Sequence, residues 1–109
     1  MIRHQEIEHF GKMIVERFDP EKIILFGSHA YGQPVKDSDV DILIIMQHDG
    51  TARDAAYEIK SALPRPFPLD LIVRSPEEVN RRLRRNDFFF QEILNRGKIL
   101  YERRNQRVD

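Results

Sequence analysis

The sequence predicts an α/β fold, and three observations predict it. Short apolar runs rich in β-branched residues, Lys22-Ile-Ile-Leu-Phe26 and Asp39-Val-Asp-Ile-Leu-Ile-Ile-Met46, alternate with segments whose apolar residues recur at helical spacing. Proline and glycine gather between these segments. Apolar residues make up 40% and charged residues 33% of a 109-residue chain, the balance of a globular protein with one core. One domain is expected over residues 1–109, with its core at about 3–101 and a polar, frayed tail at 102–109.

Ile7, Phe10, Ile14 and Phe18 predict an amphipathic helix from about Arg3 to Phe18, ended by Asp19-Pro20 because the residue before proline is pushed out of the α region. Lys22 to Phe26 reads as a buried strand. Ser28 to Tyr31 is short enough for a single turn, capped by Ser28 and closed by Gly32, before a loop over Gln33 to Ser38. Asp39 to Met46 is the second strand, polar at its start and apolar beyond. A helix from Thr51 presents Ala52, Ala55, Ala56, Ile59 and Leu63 on one side and stops at Pro64, Pro66 and Pro68. Phe67 to Val73 contains the third strand, in which Asp70 interrupts an apolar run.

Ser75-Pro-Glu-Glu78 is a helix start, with an N-cap, a proline at the first helical position and a capping-box glutamate. Val79 and Leu83 are that helix's buried side. Asn86-Asp87 breaks it and starts another, with Phe89, Phe90, Ile93 and Leu94 toward the core and Gly97 as its closing residue. Phe88 to Phe90 and the Phe67 region read as core or as partner interface, with at least two of the three consecutive phenylalanines expected in the core. Lys98 to Tyr101 is a short final strand.

Composition excludes several function classes. No apolar run approaches the ~20 residues of a membrane span. Without cysteine there is no disulfide framework and no thiolate metal site, and a cytoplasmic location is expected. The formal net charge of zero argues against a broad nucleic-acid surface. The halves differ, however: residues 1–73 hold 8 Lys and Arg against 12 Asp and Glu, and residues 74–109 hold 10 against 6. The acidic half contains the aspartates that matter most.

In a strand, alternate side chains share a face, so Asp39 and Asp41 project together with Cα atoms roughly 7 Å apart. Such a pair repels itself unless a cation lies between. Hard carboxylate oxygens suit Mg²⁺ or Mn²⁺ and leave coordination positions for substrate phosphates. Asp70 is the third carboxylate; with the third strand beside the second it would complete a cluster able to hold two metal ions. Upstream, Gly27 lets backbone approach an anion, and Ser28 offers a hydroxyl and the free N–H groups of a helical turn. His29, Lys36 and Arg74 are candidate phosphate partners by position, set against the ordinary reading of an exposed turn histidine and two solvated surface charges. A phosphate-handling turn thus precedes a metal-handling pair.

The pattern Gly27-Ser28-x-Ala30-x-Gly32, then Ser38-Asp39-x-Asp41 at a strand start, then Asp70 within a strand, resembles the nucleotidyltransferase superfamily that includes DNA polymerase beta. In size it is similar to the stand-alone minimal nucleotidyltransferases. The resemblance implies a small mixed sheet flanked by helices and transfer of AMP, or another nucleoside monophosphate, from ATP or another NTP to an acceptor. It implies Gly27 and Ser28 on the triphosphate, and Asp39 and Asp41 on Mg²⁺. Asp70 would help a hydroxyl acceptor lose its proton. Many members carry arginine where Tyr31 stands. The resemblance also implies a partner, a helical HEPN-type toxin, which the transferase silences by adding AMP as the antitoxin of a pair. A contact-only antitoxin or binding module, and a transferase acting on a small molecule such as an antibiotic hydroxyl, are the other readings.

Overall fold

Helix α1 (His4–Phe18) leads into strand β1 (Lys22–Phe26) and a 3-10 turn (Gly27–His29); strand β2 (Val40–Ile45) follows. Helix α2 (Ala52–Ala62) then connects to strand β3 (Leu69–Arg74), and α3 (Pro76–Arg84), α4 (Phe88–Arg96) and strand β4 (Lys98–Glu102) complete the order. The computed structural model describes residues 2–35 and 38–104, so the proposed Lys36 contact and the end of the polar tail lie outside the described residues. Among the described residues no helix is long and apolar enough to cross a membrane.

The strands form one sheet in the order β3-β2-β1-β4. β1 runs antiparallel to both β2 and β4, whereas β2 and β3 are parallel, joined by α2 as a crossover. The sheet is therefore mixed and helix-flanked. One face packs Ile23, Leu25, Ile42 and Ile44 against Ile7, Phe10 and Ile14 of α1 and Ile59 of α2. On the other face, Ile24, Phe26, Leu43 and Ile45 meet Val79 of α3 and Phe90 and Ile93 of α4. Covered on both sides, β2 has room for an uninterrupted Ile42-Leu-Ile-Ile45 run and none for a charge in its middle.

The predicted helix limits follow their caps. Asp19 closes α1 in the left-handed region, and Asp87 starts α4 by accepting a hydrogen bond from the Phe90 amide. Ser75 and Thr51 accept from Glu78 and Asp54 in the same way. Glu78 does not reach back as a capping box; its carboxylate pairs with Arg81 and Arg82 on its own helix.

Three local expectations are corrected. Ser28 makes no cap hydrogen bond: the turn begins one residue earlier, on Gly27, whose carbonyl accepts from both Ala30 and Tyr31. Gly97 ends α4 in extended rather than left-handed backbone. It is there for space, since a Cβ would fall on the Ile93 carbonyl and 2.5 Å from Ile24 Cγ2. Of the consecutive phenylalanines only Phe90 is buried, at 3% exposure, against 46% for Phe89 and 77% for Phe88. Consecutive helical residues point about 100° apart, so three in a row cannot share one narrow buried stripe. Gly97→Ala should destabilise the fold by about 2 kcal/mol, read as a lowered unfolding midpoint, because the backbone it would push against includes a sheet strand.

Candidate active site

The strand pairing brings the sequence-predicted aspartates together. Phe26 of β1 pairs with Asp41 of β2, and Asp41 with Asp70 of β3, so the three lie in one row at the same end of the sheet. Paired residues project to the same face, here the face carrying α3 and α4. Asp39 lies just before β2 and is exposed; Asp41 is half-buried. Asp70 is exposed as well, because β3 is an edge strand whose side chains alternate between core and solvent. The apolar surroundings read from the sequence around Asp70 belong to its neighbours Leu69 and Leu71, on the opposite face.

Repulsion is concentrated on Asp41. Its carboxyl is pushed up from the ordinary 3.8 to about 6, first by burial, then by the negative charges of Asp70 and Asp39, and further by a hydrogen bond shared with Asp70. His29 opposes the shift. A half-buried carboxylate crowded by two others until it keeps its proton up to about pH 6 forms a place that a bound cation would stabilise.

The Gly27 turn closes over this cluster. Gly27 sits at φ +73, open to glycine at no cost, and a Cβ there would fall on the Asp41 carboxylate, 3.0 Å from its Cγ. Backbone and carboxylate therefore touch where any other residue would hold them apart. Gly32 packs on Ser28 in a similar way, since a Cβ would lie 2.8 Å from the Ser28 Cα. His29 Nε2 stands 3.1 Å from the Ser38 carbonyl oxygen; with its proton on Nε2 it ties the turn to the residue before Asp39. Spacing in the sequence carries no signal for that tie.

Arg74 is not brought to the site. It lies four residues along β3 from Asp70, about 13 Å at strand rise, and its guanidinium donates to the Val73 carbonyl. Burial and the neighbouring Arg82 lower its pKa. A cation the sequence does not point to meets the turn: the guanidinium carbon of Arg96, at the end of α4, stands 4.4 Å from the centre of the Tyr31 ring.

Among the described residues no three His, Cys, Asp or Glu side chains converge to enclose a cation by themselves. The donor set nonetheless fits a hard divalent ion. Mg²⁺ takes one or two carboxylates and fills its remaining positions with water and substrate phosphate. Asp41 flanked by Asp39 and Asp70, with a close-packed turn beside it, supplies such an open arrangement. Chemically it can orient a polyphosphate and accept a proton from an incoming hydroxyl.

The chain is similar to known proteins over most of its length. Residues 8–106 match the model of the polymerase beta nucleotidyltransferase family. A Methanocaldococcus jannaschii protein, provisionally named a protein adenylyltransferase, is 36% identical over 83 residues, covering 74% of this chain and 78% of that one. Among solved structures, a provisionally named nucleotidyltransferase from Sulfolobus solfataricus superposes with a TM-score of 0.64 at 20% identity, over 91% of this chain and 79% of its own. A toxin–antitoxin complex crystallised with AMP-PNP has a chain that superposes with a TM-score of 0.54 at 22% identity, over 88% of this chain and 73% of its own. The likeness to these two structures is one of fold, a mixed sheet with helices on both faces. The chain belongs to the polymerase beta nucleotidyltransferase family and is an enzyme of the nucleotidyltransferase kind.

Proposed function

We propose that the protein is a single-domain cytoplasmic enzyme that transfers AMP from ATP to a hydroxyl of a partner protein, and that the partner is a HEPN-type helical toxin. The observation that carries the reading is the pairing of Asp41 with Asp70 across β2 and β3, under a glycine turn packed directly on the Asp41 carboxylate. The Methanocaldococcus jannaschii relative, named for adenylyl transfer to protein, supports a protein acceptor. The fold shared with a chain of the toxin–antitoxin complex crystallised with AMP-PNP supports the nucleotide and the toxin–antitoxin setting. Exposed Phe89 stacks edge-on against Phe26 at 5.7 Å, next to Asp41 in the sheet, so an apolar rim borders the carboxylates. Such a rim suits a macromolecular acceptor better than a small one.

In this reading Gly27 and Ser28 hold the triphosphate, the turn's leading amides and the Ser28 hydroxyl facing its oxygens. Asp39 and Asp41, together with Asp70, would hold two Mg²⁺ ions, or Mn²⁺ in their place. When bound, the cation screens the triphosphate's charge and stabilises the leaving pyrophosphate. Asp70, the exposed member of the row, takes the proton from the acceptor hydroxyl. The acceptor oxygen forms a bond to the α-phosphorus, the bond to the bridging oxygen breaks, and pyrophosphate leaves. No side-chain nucleophile enters.

Asp70→Asn tests the assignment. It should lower the rate of AMP transfer to the partner by about 10² to 10³-fold, since the variant can neither take the acceptor's proton nor give the metal its third carboxylate. Full activity in that variant would remove Asp70 from the reaction. Protection of cells from the toxin by an Asp41→Asn variant would instead favour the contact-only antitoxin.

A further inference from the structure

We propose that Arg96, carried by α4 from the far end of the chain, is a triphosphate-binding residue that reaches the nucleotide across the ring of Tyr31. The inference rests on reading the 27–32 turn as the triphosphate site, and goes beyond it by naming the cation that this turn lacks.

The turn itself carries no Lys or Arg. Its one basic side chain, His29, is engaged with the Ser38 carbonyl oxygen. A polyphosphate bound there would meet amides and a hydroxyl but no fixed positive charge. Among the described residues, Arg96 is the one Lys or Arg whose side chain stacks on this turn. Tyr31 belongs to the turn's own hydrogen-bonded frame, because its amide donates to the Gly27 carbonyl at 3.0 Å. At 4.4 Å from that ring's centre, the Arg96 guanidinium is within cation–π range.

Position and availability both fit. Arg96 is the last residue of α4, and the missing Cβ of Gly97 lets that end of the helix press against Ile24 and the Leu25 carbonyl of β1. The base of the side chain is thereby fixed relative to the strand that runs into Gly27. Its tip is only loosely paired. Glu92 Oε2 stands at 3.6 Å, longer than a charge-assisted hydrogen bond, in an exposed pair of the kind worth little in water. The Arg96 side chain is 56% exposed. A guanidinium held over a ring by its face keeps its N–H donors at the edge, where phosphate oxygens can compete with a loosely held carboxylate for bidentate contact.

The test is equilibrium binding of MgATP and of AMP to the full chain, by calorimetry, for wild type, Arg96→Ala, Arg96→Lys, Tyr31→Ala, Tyr31→Phe and Ser28→Ala. Arg96→Ala should weaken MgATP about tenfold and leave AMP unchanged, with partial recovery in Arg96→Lys. Tyr31→Phe should bind as wild type, and Tyr31→Ala should lose part of the affinity for MgATP. Because Arg96 is exposed, its variants should unfold at the wild-type temperature. Unchanged MgATP affinity in Arg96→Ala, with affinity lost in Ser28→Ala, would overturn this assignment and leave the nucleotide site standing. Equal losses for AMP and MgATP would overturn it in favour of a base-stacking role. A wild-type chain that binds neither ligand would remove the nucleotidyl-transfer reading and this inference together.

Discussion

Asp41→Asn is expected to abolish nucleotidyl transfer, by about 10³-fold or more, and at the same time to stabilise the metal-free protein at neutral pH. The two effects share a cause. Burial and the charges of Asp70 and Asp39 raise the Asp41 carboxyl to about 6, so the folded chain binds a proton more readily than the unfolded one. The stability linked to that proton is fully present below 3.8 and is lost as pH rises through about 6. At pH about 7.5 the ionised Asp41 costs about 1 kcal/mol, after allowing for screening of a part-exposed group. Asparagine carries no such cost. Unfolding midpoints of wild type and Asp41→Asn should therefore diverge as pH rises from about 4 to about 8, with the variant the more stable. Adding Mg²⁺ or Mn²⁺ should raise the wild-type midpoint and leave Asp41→Asn unmoved, because the variant has lost the half-buried carboxylate at the centre of the cluster. A metal response that survives in the variant would take Asp41 out of the metal site.

Gly27→Ala should be the most damaging single-methyl change in the chain. The new Cβ would meet the Asp41 carboxylate, and the backbone it is attached to lies at φ +73, which an L side chain rarely adopts. Strain of about 1–2 kcal/mol from the dihedral adds to the displacement of a carboxylate on a central strand. Moving Asp41 by even part of an ångström separates it from Asp70, so activity should fall by about 10²-fold or more in whatever fraction remains folded. The check is a pair of measurements, the unfolding midpoint and the transfer rate per folded molecule. Ser28→Ala is the control at the next position. It should keep the fold, since the Ser28 side chain caps nothing.

Much of this is legible in the sequence, for identifiable reasons. The strands β1 and β2 are written in runs of Ile and Leu that one reading fits, and Pro20, Pro64 and Pro76 mark helix boundaries in a way that tertiary packing does not override. Asp39, Asp41 and Gly27 stand out because their chemistry depends on close spacing along the chain. Asp70 is nameable as a candidate, but its position opposite Asp41 follows from the parallel register of β2 and β3, which no local pattern encodes. Its exposure is hidden because an apolar strand at the sheet edge and one at the centre look alike as strings. The same limit applies to Phe88 and Phe89: three identical side chains in sequence give no sign of which one α4 turns inward. What His29 and Arg96 meet is out of reach for a simpler reason, since the Ser38 carbonyl and the Tyr31 ring come from other parts of the chain.

The central claim is that Asp39, Asp41 and Asp70, under the Gly27 turn, transfer the nucleotidyl group of ATP and not its terminal phosphate. The most direct measurement incubates the protein, a helical HEPN-type partner and Mg²⁺ with ATP labelled either at the α-phosphate or at the γ-phosphate, and follows the label into protein. The site described above predicts that the α-label becomes covalently attached to the partner, that the γ-label leaves with pyrophosphate, and that Asp39→Asn and Asp41→Asn attach neither. Incorporation of the γ-label, or of the α-label at wild-type level in those two variants, would contradict it.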